Sequence, residues 1–500
     1  MNFNPSHPLY FTPTKDIIAY FNFRNRIKPN FMNVVCRLWI RSVVTAFGIL
    51  LSFGPAGAGQ TRPAGAAFPL KLSPNGRWLM DGRGRPFLIR EISAWGLIQA
   101  LPEPEEIAFM DSVKAKGFNT LLVSLISYDT RFAGGPPDWQ GIAPFRIHWD
   151  FSTYNPLYFD HADRVLRLAE AKGFLVLLVP CYLGYKGDRN QGWWDELLDP
   201  HNNPVKSLLY GRFLGNRYKD FPNILWVAGG DNSGKDSLYL HMANIIEGIR
   251  EFDKSHLWTG HFESAPATVW STGNPLYSRY MDIDGLYDFT ESSLGKDQPQ
   301  YRAEINQYRK GKMIFQLDQS YEQDIPHTAD NEDSTIRRKN YEGLLCGCAG
   351  TSFCPGQPAN PEYVFKDWRP LMNTVGMREA THCFRLMASI PWYLLVPDTG
   401  NKAIIRGKGI YGSRDYICSA MASDRSCYIA YLPRARSITV HLSGIRGKWF
   451  RARWYDPRSG REMIIGLLST ALPHVLAPPS RGDWILVAAA AAPPIPHKGI

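Results

Sequence analysis

The sequence lacks the motifs that would announce a cofactor. It has no Walker phosphate loop and no EF-hand loop, and no Gly-rich turn follows its first apolar run as a dinucleotide site requires. Its eight cysteines (36, 181, 346, 348, 354, 383, 418 and 427) include Cys346-x-Cys348, but no paired C-x-x-C clusters and no nearby His pair to complete a zinc set. Neither a metal nor a cofactor is expected. Long hydrophobic runs are also missing. The apolar stretch Ser42–Phe53 is too short for a comfortable membrane span. Nor is there a basic run. Six Lys/Arg against one Asp fall within residues 1–58 and supply half of the net charge of +10. The remaining excess is scattered and leaves no footprint for nucleic acid.

What is present begins with a targeting pattern. From Met32 the chain reads MNVVCRLWIRSVVTAFGILLSFGPAGA, with Arg37 and Arg41 before the apolar core and Ala56-Gly57-Ala58 as a small-residue cleavage site. This succession is that of a signal peptide. Residues 1–58 are therefore read as leader plus signal, with a mature chain starting near Gly59, exported to a secreted or periplasmic location and free of the membrane after cleavage. Loss of Cys36 leaves seven cysteines. A bridge such as Cys418–Cys427 is possible in an oxidising compartment, and buried free thiols are the default for the others.

From Arg77 onward, short apolar runs alternate with amphipathic segments. The runs are 86–95, 119–126, 174–184, 224–231, 257–264, 283–289, 312–322 and 347–353. Between them, EPEEIAFMDSVKAKGF and YFDHADRVLRLAEAKGFL each carry apolar residues at helical spacing and stop at a glycine, Gly117 and Gly173. Eight near-continuous apolar strands separated by helices predict a parallel (β/α)8 TIM barrel over 68–393. After Leu394 the texture changes to short strands with turn residues between them, which predicts a small β-sandwich over 395–488. Residues 489–500 read as a disordered tail. No Gly/Ser-rich or Pro-rich spacer separates barrel from sandwich, so the two are expected to pack rigidly.

In such a barrel the chemistry lies at the carboxyl ends of the strands. The fourth run ends on Asp231 and the seventh carries Asp318. Two carboxylates at one mouth are what glycoside hydrolysis requires, one to protonate the leaving oxygen and one to attack the anomeric carbon or activate water. Gly229-Gly230 ahead of Asp231 are read as room for a substrate. Trp95, Trp193, His261, Tyr287 and Tyr321 fall near the same ends and are candidate sugar-binding residues, since aromatic faces stack on sugars. Asp231 could instead cap the next helix, and Asp318 could be a paired loop carboxylate. Asp282, Asp284, Asp288, Glu263, Glu291 and Glu322 are competing acids on neighbouring ends.

On these residues the chain resembles the apiosidase-like glycoside hydrolases, a barrel followed by a collagen-binding-type C-terminal domain. The resemblance rests on FPLKLSPNGRWLMDGRGRPFLI, NPLYFDHADRVLRLAEAKGF, NILWVAGGD, YEGLLCGCAGTSF and WYDPRSGRE, and spans about residues 68–488. It implies hydrolysis of apiosyl linkages in plant cell-wall pectin by a retaining pair on strands four and seven. The family's fourth-strand Asp falls on Asp231. Its seventh-strand Glu, usually followed by Pro, falls on Asp318-Gln319, and an Asp usually found three residues before the first-strand Trp is Ile92 here. An Asp nucleophile is one methylene shorter, roughly 1.5 Å of reach. The expectation is a secreted glycoside hydrolase acting on polysaccharide side chains, with carbohydrate as its partner. The alternative is a non-catalytic carbohydrate-binding or cell-surface protein on a degenerate barrel.

Overall fold

The computed structural model describes residues 65–492 except 128–136, 149, 185–191, 233–237, 264–268, 289–297, 324–327 and 357–367. Three two-residue antiparallel strands between Lys71 and Phe87 come first. The segment Pro69–Lys71 lies against Leu175 and Ile224, the first residues of two barrel strands, and so sits at the amino end of the barrel.

Eight parallel strands follow: β1 Ile89–Ser93, β2 Thr120–Ser124, β3 Leu175–Val179, β4 Ile224–Gly229, β5 Trp258–His261, β6 Asp284–Asp288, β7 Ile314–Gln319 and β8 Gly350–Phe353. Their residues are buried almost throughout, because helices cover one face and the barrel interior the other. β8 pairs with β1 (Gly350↔Ile89), which joins the last strand to the first. β6 pairs with β7. The two remaining seams are bridged by backbone bonds. Asp282 N–H donates to Trp258 O (2.9 Å) between β5 and β6, and Ala349 N–H donates to Ile314 O (2.8 Å) between β7 and β8. The ring is closed, as the strand count predicts.

The longer helices are α1 Glu103–Ala115, α2 Pro156–Ala171, α3 Pro204–Tyr218, α4 Leu238–Phe252, α5 Gln300–Tyr308, α6 Asp333–Leu345 and α7 Val375–Ala388. Asn155 and Asn203 cap α2 and α3 ahead of Pro156 and Pro204, and Thr374 caps α7. Each cap satisfies an amide that the helix leaves unpaired. Between β5 and β6 the described residues form 3₁₀ turns at Ser271–Gly273 and Ser278–Tyr280 in place of a helix.

The C-terminal domain holds β9 Leu395–Pro397, β10 Ile404–Arg406, β11 Cys418–Ala422, β12 Cys427–Leu432, β13 Ile438–Val440, β14 Trp449–Tyr455, β15 Glu462–Ser469, β16 His474–Leu476 and β17 Trp484–Ala491. They form a six-stranded antiparallel sheet (β9-β11-β12-β17-β14-β15) and a three-stranded one (β10-β13-β16). Along β12 the alternation of side chains divides the strand between two cores. Tyr428, Ala430 and Leu432 pack in the sandwich, whereas Cys427, Ile429 and Tyr431 join Tyr341, Leu344 and Leu345 of α6. Arg337 of α6 reinforces this junction by donating to both oxygens of Asp483 (2.8 and 3.1 Å), and the rings of Tyr341 and Tyr431 stack at 5.5 Å. β17 runs past residue 488 because Ala488–Ala491 pair with Ala452–Trp449 of β14.

Cys418 and Cys427 cannot bridge. Cys418 stands opposite Tyr431 in the β11–β12 ladder, at the far end of β12 from Cys427. The seven cysteines among the described residues are all buried free thiols.

Candidate active site

The site assembles at the carboxyl ends of β1, β3, β4, β5, β6, β7 and β8. β4 ends in an unusual turn in which Gly229, Gly230 and Asp231 have φ of 96°, 111° and 54° in succession. The glycines are required by packing. A Cβ on Gly229 would lie 2.3 Å from the carbonyl oxygen of His261, and one on Gly230 would lie 2.4 Å from the ring of Tyr182. The turn is clamped on both sides, with Gly230 N–H donating to His261 O (2.6 Å) and Gly184 N–H donating to Gly230 O (3.0 Å). The space beside Gly229 and Gly230 is thus filled by protein, which corrects the expectation that it receives a sugar. The turn instead lifts Asp231 out of the strand. Its side chain keeps 17 % exposure, against 4 % for Asp318.

Asp231 accepts from the phenol of Tyr182 at 2.5 Å through Oδ2, and the Tyr287 side chain also reaches it. Asp318 is enclosed. Its Oδ1 accepts from the Cys354 thiol (2.7 Å), the Ser93 hydroxyl (3.3 Å) and its own neighbour's amide, Gln319 N–H (2.9 Å), and its Oδ2 meets His261 Nε2 at 2.8 Å. A register shift between Gln316 and Asp318 marks a bulge in β7, a device that re-aims a strand-end side chain.

His261 stands between the two acids. Nε2 faces Asp318, and Nδ1 lies 3.6 Å from Asp231 Oδ1 and accepts the Asp231 backbone N–H at 3.2 Å. Full burial opposes charge on this ring, but the hydrogen bond to Asp318 and the charges of Asp231 and Asp318 together hold its pKa above the ordinary value. The ring stacks on Tyr287 (centroids 3.9 Å) and takes the edge of Trp95 (5.0 Å). Trp95 in turn packs on Tyr182. Burial, and then the negative charge of Asp231 and Asp318, push the phenols of Tyr287 and Tyr321 well up, so both stay neutral donors.

Six of the seven residues singled out in the sequence therefore converge: Asp231, Asp318, His261, Trp95, Tyr287 and Tyr321. Trp193 does not join them. It is fully buried against Phe145 and Phe151 and serves as core. Of the competing acids, Asp282 and Asp284 lie at the amino end of β6, where Asp282 accepts Trp258 N–H and Asp284 accepts from Thr272. Asp288 ends β6 but faces Lys339. Glu322 accepts Gly376 N–H at 2.7 Å, away from the pair. Glu291 lies outside the described residues.

The sequence reading missed Tyr182, Ser93, Cys354 and Glu91. Alternation along β1 points Glu91 and Ser93 into the barrel and Ile92 into the hydrophobic core, where Ile92 pairs with Phe353. Glu91 is fully buried near Asp318, and both burial and that neighbouring charge raise its pKa well above the carboxylate range. Tyr182 and Cys354 follow β3 and β8 by a few residues, the same position that recommended Trp95 and Asp231.

Comparison with known proteins matches residues 73–394 to the apiosidase-like catalytic domain. The chain belongs to the apiosidase-like family. It is a glycoside hydrolase by that membership. Residues 396–489 of this apiosidase-like chain match a domain type named for the collagen-binding domain of a collagenase. No curated protein matches it. Among solved structures, a glycoside hydrolase of 22 % identity superposes with a TM-score of 0.69, over 84 % of this chain and 97 % of its own. A glycoside hydrolase family 5 protein from Bacteroides vulgatus, 21 % identical, gives 0.70 over 85 % and 95 %. Both likenesses are in fold and include the C-terminal domain by their coverage.

Proposed function

We propose that this protein is an exported hydrolase that removes glycosyl side chains, apiosyl residues first among them, from plant cell-wall polysaccharide, with Asp231 as general acid/base and Asp318 as nucleophile in a retaining mechanism. The observation that carries the reading is the arrangement of the two carboxylates, from β4 and β7, on opposite edges of one buried imidazole at the barrel mouth. Asp231, the more exposed, protonates the glycosidic oxygen as the Asp318 oxygen attacks the anomeric carbon. Asp231 then takes a proton from the water that releases the sugar. Trp95, Tyr287 and Tyr321 line this pair. The pattern Met32–Ala58 supports export, and N-terminal sequencing of secreted or periplasmic protein tests it.

One observation favours a second reading. Both oxygens of Asp318 are already engaged, which suits a carboxylate that orients others while water attacks, with inversion. Incubation with apiosylated pectic oligosaccharides, with the first-released anomer read by proton NMR, distinguishes the two. Retention supports the nucleophile role of Asp318, inversion supports the second reading, and binding without turnover would return the protein to the non-catalytic class.

A further inference from the structure

His261 is fully buried and cannot touch a sugar, yet it makes two directional contacts at once. Its Nδ1 accepts the main-chain N–H of Asp231 (3.2 Å) and its Nε2 meets Asp318 Oδ2 (2.8 Å). One tautomer satisfies both. With the proton on Nε2, that nitrogen donates to the carboxylate and Nδ1 keeps the lone pair that the amide needs. The ring has little freedom to turn, since Tyr287 stacks on its face and Trp95 meets it edge-on.

The contact falls on a residue whose backbone needs holding. Asp231 has φ of 54°, a left-handed conformation that non-glycine residues adopt uncommonly. Its amide has left the strand ladder, so an acceptor outside the ladder must satisfy it. His261 supplies that acceptor through Nδ1, and through its own carbonyl it also takes Gly230 N–H.

We propose that His261 is a positioning residue that aims the Asp231 carboxyl by holding its main chain through Nδ1, and that Asp318 fixes the tautomer which makes this possible. The proposal rests on Asp231 being the general acid. It assigns Asp318 a role that does not depend on whether the reaction retains or inverts.

Two substitutions separate the contacts. The amide oxygen of Asn can occupy the place of Nδ1, and the amide nitrogen of Gln the place of Nε2. His261→Asn should keep kcat/KM on an apiosylated pectic oligosaccharide within about tenfold of wild type, whereas His261→Gln should lose about a hundredfold, the cost of a misplacement near 1 Å. On 2,4-dinitrophenyl β-apiofuranoside, whose leaving group needs little protonation, the first-turnover burst of dinitrophenolate should fall far less for His261→Gln than its oligosaccharide kcat/KM does, and a native melting temperature for each variant reports a folded site. Equal losses for Asn and Gln, or a smaller loss for Gln, would overturn the proposal while Asp231→Asn still abolishes oligosaccharide turnover. If Asp231→Asn retains full turnover, the acid assignment itself fails and this inference with it. Selective ¹⁵N-histidine NMR of the wild type gives an independent reading. In the neutral ring, observed above its raised pKa, the proton is expected on Nε2 with Nδ1 bare, and a neutral ring protonated on Nδ1 contradicts the proposal.

Discussion

The phenol of Tyr182 donates to Oδ2 of Asp231 at 2.5 Å, while its ring blocks the space beside Gly230 and packs on Trp95. One residue thus orients the candidate acid by hydrogen bond and by contact. Tyr182→Phe keeps the ring and removes the bond. Hydrogen bonds to charged groups contribute about 1.5–3 kcal/mol, so kcat/KM on unactivated glycosides should fall about ten- to a hundredfold, with little change in melting temperature. Steady-state kinetics beside a thermal melt check this. An unchanged rate would remove Tyr182 from the site.

Gly230→Ala should destabilise the protein and not merely weaken substrate binding. Its φ of 111° is closed to alanine, and the new Cβ would meet the Tyr182 ring at 2.4 Å. The expected outcome is a loss of about 2 kcal/mol or more in denaturant unfolding, accompanied by a fall in kcat as Asp231 shifts. A raised KM with unchanged stability would restore the sugar-clearance reading of the glycine pair.

Burial pushes the Glu322 carboxyl up to about 8. The folded state therefore holds a proton that the unfolded state has released above its ordinary carboxylate value of 4.5. The stability linked to that proton is fully present below the unfolded value and is lost as pH rises toward 8. Glu322→Gln keeps an acceptor for Gly376 N–H. Relative to wild type it should gain stability between pH 5 and pH 8, on the order of a few kcal/mol. Urea unfolding at both pH values measures this, and parallel pH profiles for the two proteins would contradict it.

Much of this architecture was legible because barrel strands buried on both faces leave an apolar run, and helices leave a 3.6-residue stripe. Asp231 stood out as a carboxylate closing such a run. Tyr182, Ser93 and Cys354 did not, because their roles depend on which side chains meet across the barrel, and no local pattern encodes that meeting. Trp193 misled for the converse reason: an aromatic beside a strand end looks the same in sequence whether it faces the mouth or the core. The glycine pair was read for space toward substrate, although the neighbours that needed the space were the backbone of β5 at Gly229 and the ring of Tyr182 at Gly230.

Arg337 joins the two domains through Asp483 and also pairs with Glu379, and both carboxylates are buried while Arg337 is largely so. Removing the cation leaves two buried carboxylates without it, at a cost of about 3–5 kcal/mol. Arg337→Met should lower the melting temperature and separate the unfolding of the C-terminal domain from that of the barrel in calorimetry. Arg337→Met with Asp483→Asn should recover part of the loss. A single unshifted transition in Arg337→Met would show that the apolar junction alone couples the domains.

The central claim is that Asp231 and Asp318 act as acid/base and nucleophile on one sugar. Asp231→Asn incubated with 2,4-dinitrophenyl β-apiofuranoside tests it most directly, because the activated leaving group departs without an acid while the intermediate then lacks a base. The account predicts accumulation of a glycosyl-enzyme whose label maps by peptide mass spectrometry to Asp318, and release by azide as the β-glycosyl azide. A label on another residue, an α-glycosyl azide, or undiminished turnover of natural oligosaccharide by Asp231→Asn would contradict it.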